Sequence, residues 1–397
     1  MRTFLATVIS AALLVVVVSS DAPAGQRFIY ASDVRGILHK IDPDRQEVVA
    51  SLPVKGYPYV LYPYDGRLLV WDVDGNLPPT TFDPATGLSR PLNAPKLSDL
   101  DCVCINKGTA LLGTLDPPGL VKIDLASGRQ LASLRLPKGS LVSALAVTND
   151  GRAYVADSEN RLLYVVEAGS LKVLGSYPTT DRYMELCTAG NGKLYAVGSD
   201  PLWDGGGWID VWDTRKNVRL KRLQGLLPRG QTFVPDEEGS ARQMVVAEDL
   251  NLLCVLPFMN VGIRVTTKRW PLLIAVDLKS GKVAWRLKQH DPREDPITLL
   301  YGPDHCLYLA TSKRIAIIDA KTGKVKKSIP LRVWGLAEVA ASQPGPRSTK
   351  TYREMEAPAC KGGKDTGQTG LASSPGRSDA SQTRRSQEAP PGVSGIR

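Results

Sequence analysis

Apolar residues in this chain come in short runs separated by polar clusters rich in Gly, Asp, Asn and Ser. Leu145-Ala146-Val147, then Thr148-Asn149-Asp150-Gly151, then Arg152-Ala153-Tyr154-Val155-Ala156 is a clear example. Apolar runs this short, bounded by turn residues, predict strands joined by hairpins rather than helices. One phrase recurs seven times: an apolar strand ending in an acidic residue, a tight turn, and a second apolar strand. The acidic residues are Asp42, Asp83, Asp124, Glu167, Asp213, Asp277 and Asp319, so the steps are 41, 41, 43, 46, 64 and 42 residues. A period near 40 built of short strands predicts a β-propeller with one four-stranded blade per repeat.

Each repeat carries an upstream hairpin as well. Its turns, such as Asn149-Asp150-Gly151 and Asn191-Gly192, contain residues that adopt positive φ at little cost. With strands lettered A to D from the hub outward, these turns join A to B, and the acidic turns join C to D. The segment 26–32 reads as a strand B with no strand A before it, while 331–341 follows the seventh strand D and reads as a strand A with nothing after it. Pairing these two segments removes two exposed sheet edges. The expected fold is therefore all-β: a seven-bladed propeller of four-stranded antiparallel blades, closed by 331–341 pairing with 26–32.

The repeats resemble known propeller families. Val276-Asp277-Leu278-Lys279-Ser280-Gly281-Lys282-Val283-Ala284-Trp285 resembles the quinoprotein-like (PQQ-repeat) phrase. Tyr-Val-Ala or Tyr-Ala-Val ahead of an Ile/Val-Asp turn is similar to the YVTN-type repeat, and Val211-Trp212-Asp213-Thr214 and Val70-Trp71-Asp72 resemble WD40 blades. The resemblance covers residues 26–341 and implies a fold, since propellers share such repeats through the mechanics of the blade.

Outside the repeats the composition changes. Met1-Arg2, the small and apolar run Phe4 to Val18 and Ala22-Pro23-Ala24 read as a signal peptide over 1–24, with an uncleaved anchor as the alternative. That reading predicts a secreted or periplasmic protein with no membrane span in the mature chain. Residues 342–397 are poor in large apolar side chains and carry nine Lys/Arg against five Asp/Glu, which predicts a disordered basic tail after a propeller over 25–341. The chain's net charge of +10 suits an acidic polymer or membrane surface. Nucleic acid is not expected as a partner, because no basic stripe with interleaved aromatic residues occurs. The six cysteines allow disulfides in an oxidising compartment, or act as small buried apolar residues.

The irregular steps of 46 and 64 residues point to function. The excess residues fall in connections from B to C and from D to the next A. These are 198–208 and 225–241 of blade 5, 257–271 of blade 6, and 289–295 leading into blade 7. Trp203, Asp204, Trp208, Arg264, Arg269 and Trp270 would make a face for a planar, sugar-like or peptide ligand. Idle loop elaboration is the alternative. His290 with Asp291, Glu294 and Asp295 is the one cluster suited to Ca2+ or another divalent cation, or to an acid/base pair; otherwise it is a solvated polar loop. The expectation is a monomeric, exported, non-enzymatic propeller without a resident cofactor, binding a protein, glycan or small ligand through the loops of blades 5–7. The alternative is a metal-dependent, hydrolase- or lactonase-like enzyme built on His290.

Overall fold

The computed structural model describes residues 27–340 except 34, 55–57, 73–78, 93–102, 107, 200–206, 228–230, 234–243, 260–270, 289–290, 292–293 and 295. It contains seven four-stranded antiparallel sheets, and among the described residues there is no helix, hence none long and apolar enough to cross a membrane. The signal-peptide and tail segments lie outside the described residues.

Blade 1 closes the ring as the sequence predicts. Its strands run Val333–Ala340, Arg27–Asp33, Ile37–Asp42 and Glu47–Pro53 from hub to rim. The last strand of the chain pairs antiparallel with the first, in the register Phe28 with Val339, Tyr30 with Ala337 and Ser32 with Gly335. The innermost strands touch their neighbours all the way round, and Val333–Ala340 contacts the innermost strands of both blade 7 and blade 2. An apolar core fills each of the seven gaps between blades. Ile29, Ile41, Tyr308, Ile317 and Val333 seal the gap between blades 7 and 1, and Tyr154, Tyr183, Leu194 and Trp212 fill that between blades 4 and 5. Each blade buries its faces only against its neighbours, so the ring rather than the single repeat is the unit of stability.

The acidic turns share one geometry. In Asp277 the carboxylate accepts the Ser280 N–H at 2.7 Å, the Gly281 N–H reaches the Asp277 carbonyl at 2.8 Å, and the Asp277 N–H reaches the Lys282 carbonyl at 2.9 Å. The residue four places after the acid takes positive φ in all seven turns: Gly87, Gly128, Gly281 and Gly323 near 70°, and Gln46, Leu171 and Asn217 between 54° and 59°. This is where the repeat wants glycine, because a Cβ disfavours that conformation.

The same bonds stabilise the ionised acid. The Ser127 hydroxyl and N–H lower the pKa of Asp124, the Lys216 N–H that of Asp213, the Ser280 N–H that of Asp277, and the Thr322 hydroxyl that of Asp319. A folded pKa below the unfolded one adds stability that is present above the ordinary carboxylate range and lost as pH falls through it. The urea midpoint is therefore expected to fall between about pH 5 and pH 3. A midpoint that stays constant over that interval would contradict this role for the turns.

Candidate ligand-binding face

In an antiparallel four-stranded blade, every B–C and D–A connection lies at the same end of the strands. All the lengthened connections therefore share one face of the ring. Blade 5 comprises Arg182–Ala189, Lys193–Ser199, Trp208–Asp213 and Val218–Leu223, and blade 6 comprises Met244–Ala247, Leu252–Val255, Pro271–Asp277 and Val283–Lys288. Strands B and C of blade 5 extend further than the sequence suggests, so its loop spans 200–207 and Trp208 opens strand C.

The structure adds a contact that the repeat pattern does not contain. Gln231–Thr232, from the blade 5 to blade 6 connection, pairs antiparallel with Phe258–Met259, from the B–C connection of blade 6. Next to it, Phe233 is fully buried in the core between blades 5 and 6, with Tyr195, Leu226, Met244 and Leu253. Phe233 also sits on Gly207, the end of the blade 5 loop: a Cβ there would lie 2.7 Å from the ring and 2.9 Å from the Phe233 backbone nitrogen. Three inserted segments are thus tied to one another and anchored by one aromatic side chain.

The candidate residues are placed unevenly. Trp203, Asp204, Arg264, Arg269, Trp270, His290 and Asp295 lie outside the described residues. Trp208 is 8% exposed, its ring is covered by the Arg222 guanidinium at 4.7 Å, and its buried indole Nε1 has no hydrogen-bond partner among the described residues. Glu294 is 3% exposed and accepts from Arg314 Nε at 2.6 Å, Arg314 at 3.2 Å through its other oxygen, and the Thr311 hydroxyl at 2.9 Å. Asp291 is ion-paired with Lys313. Both described carboxylates of the proposed cation site therefore face cations from the B–C turn of blade 7.

A charged network missed in the sequence lies beside Trp208. Asp210 is completely buried and takes two bonds from Arg222, at 2.8 and 2.7 Å, and one from the Tyr183 hydroxyl at 2.8 Å. Trp212 donates to that same hydroxyl at 3.0 Å, and Asp181 takes a further bond from Arg222 at 2.5 Å. Hydrogen bonding to Asp210 holds the Arg222 pKa up, while burial and the Asp210 charge raise the Tyr183 phenol. The signal was present. Three residues before the turn acid, the other repeats carry His39, Thr80, Val121, Tyr164, Ile274 and Ala316, and only blade 5 carries a carboxylate.

The opposite face holds a smaller polar cluster. Tyr301 donates to Asp249 at 2.8 Å, and His305 Nδ1 lies 2.7 Å from Asp249 and 3.1 Å from the Tyr301 oxygen. His305 occupies an A–B turn and His39 a strand. Cys254 and Cys306 form no disulfide among the described residues, and complete burial raises the Cys254 thiol.

No protein-family model matches the sequence, and no curated protein matches it. Solved structures do match. Hydrazine synthase from Kuenenia stuttgartiensis is 15% identical, with a TM-score of 0.56 over 70% of this chain and 86% of that one. A protein from Lactobacillus plantarum is 13% identical, with a TM-score of 0.58 over 79% of this chain and 99% of that one. The dihydro-heme d1 dehydrogenase NirN, solved in complex with DHE, is 15% identical, with a TM-score of 0.51 over 79% of this chain and 75% of that one. At such identities likeness extends to the fold and not to an activity. The chain has the β-propeller fold, with seven four-stranded antiparallel blades in a closed ring.

Proposed function

We propose that this protein is an exported, non-enzymatic propeller that captures a protein, glycan or small ligand on the loop face of blades 5 to 7. The observation that carries this reading is the pairing of Gln231–Thr232 with Phe258–Met259, backed by Phe233 against Gly207. Loops that drift without use gain nothing from a shared sheet and a common buried anchor, whereas a binding surface needs rigid support. Export follows from the reading of residues 1–24.

The metal-dependent hydrolase reading draws on His290, Asp291, Glu294 and Asp295. Lys313 and Arg314 already compensate Asp291 and Glu294, which favours binding over catalysis. Stoichiometric, chelator-sensitive Ca2+ or Zn2+ in the purified protein would reverse that preference.

The capture face is tested by presenting the full chain to glycan and peptide arrays. Replacing Trp203 and Trp270 by Ala is expected to remove the array signals while leaving thermal unfolding in place. Signals that survive the double substitution would remove the loops from the function.

A further inference from the structure

Positive charge on the outer turns and strands of the propeller is concentrated on one part of the rim. The C–D turns and D strands of blades 5, 6 and 7 (213–223, 277–288 and 319–329) hold thirteen Lys/Arg against three Asp. The corresponding segments of blades 1 to 4 (42–53, 83–91, 124–135 and 167–178) hold five Lys/Arg against six Asp/Glu. Ring closure places the three basic segments side by side.

Part of this charge is engaged. Arg219 and Arg222 face Asp210, Lys326 pairs with Asp319, and Lys327 pairs with Glu47 of blade 1 at 3.1 Å, where the basic arc ends. Arg215, Lys216, Lys221, Lys279, Lys282, Lys288, Lys321 and Lys324 are exposed and make no ion pair among the described residues. The arc is continuous between blades: Lys221 Nζ lies 3.6 Å from where a Cβ on Gly281 of blade 6 would stand.

Lysines on outer strands also discourage edge-to-edge aggregation. That need applies equally to blades 1 to 4, yet their outer strands expose Val48, Val49, Leu131, Val173 and Leu174 with few cations. Edge protection therefore does not account for the asymmetry.

We propose that the rim of blades 5 to 7 is a second binding surface, for a linear anionic polysaccharide bearing sulfate or carboxylate groups. Charge complementarity selects a polyanion. Geometry selects a flexible chain over a membrane: blades 5 and 7 stand about two-sevenths of a turn apart on a convex rim, so a flat bilayer meets one blade edge while a chain follows all three. Side-chain chemistry disfavours nucleic acid, which also binds by stacking bases on aromatic rings. The one aromatic residue in the three segments, Trp285, is half-buried, donates to the Ala320 carbonyl at 3.0 Å and packs on Gly323. This surface is separate from the capture face, and the two stand or fall independently.

Heparin is the probe, bound to the full chain over a series of salt concentrations. The triple variant Lys216→Gln, Lys282→Gln and Lys324→Gln is expected to lose about tenfold or more in affinity and to show a shallower dependence of log affinity on log salt. The matched triple Arg129→Gln, Arg135→Gln and Lys172→Gln, on blades 3 and 4, is expected to bind as the native chain does. Equal losses from both triples, or no heparin binding at all, would overturn the proposal. So would single-stranded DNA of matched charge binding more tightly than heparin, or phosphatidylserine vesicles binding where heparin does not.

Discussion

Ending the chain after Arg332 is expected to abolish cooperative folding. The lost segment, Val333–Ala340, is the hub strand of blade 1 and contacts the hub strands of blades 7 and 2. Without it Arg27–Asp33 becomes an open edge, and Val333 leaves the core it shares with Ile29, Ile41 and Tyr308. An open hub strand in an incomplete ring both loses burial and offers a template for association. Circular dichroism, thermal melting and size exclusion should together show a broadened or absent transition and aggregated material. Ending the chain after Ala341 is the control, expected to melt within about 2 °C of the full chain. A cooperative, monomeric protein ending at Arg332 would mean that the closing pair is dispensable.

Replacing Asp210 by Ala is expected to be the most damaging single change in blade 5. It leaves Arg222 without two of its bonds and the buried Tyr183 hydroxyl without its acceptor, at the place of a fully buried carboxylate. Removing one partner of a buried charged pair costs about 3–5 kcal/mol, on the order of 5–10 °C in melting temperature for a domain of this size. Asp210→Asn keeps an acceptor for Tyr183 and should lose less. The damage should extend to the Trp208 ring under Arg222, so intrinsic fluorescence is expected to change with the melting temperature. An Asp210→Ala protein that melts with the native one would show that the network carries no net stability.

The ring was legible because its signals are local. Each blade repeats the acid at the end of strand C and the positive-φ residue four places later, and Gly87, Gly128, Gly281 and Gly323 mark that place directly. The closing strand was legible for the same reason, since an unpaired B at one end and an unpaired A at the other have one economical solution. The candidate face was legible only as excess length. Nothing in 225–241 or 257–271 marks Gln231–Thr232 and Phe258–Met259 as partners, because two-residue strands carry too little alternation to stand out. Asp210 could have been found by aligning the repeats, but its neighbours Arg222 and Tyr183 become its partners only through packing.

By itself, the sequence determined the number of blades, the order of strands and the places where the rhythm breaks, since strand period and turn chemistry act over a few residues. Only the tertiary structure decided which distant segments meet. It joined three insertions on Phe233, buried Asp210 between two arginines and a tyrosine, and gathered thirteen cations of three separate segments onto one arc of the rim. Such contacts depend on ring closure, which fixes the position of every blade at once and leaves no trace within any single repeat.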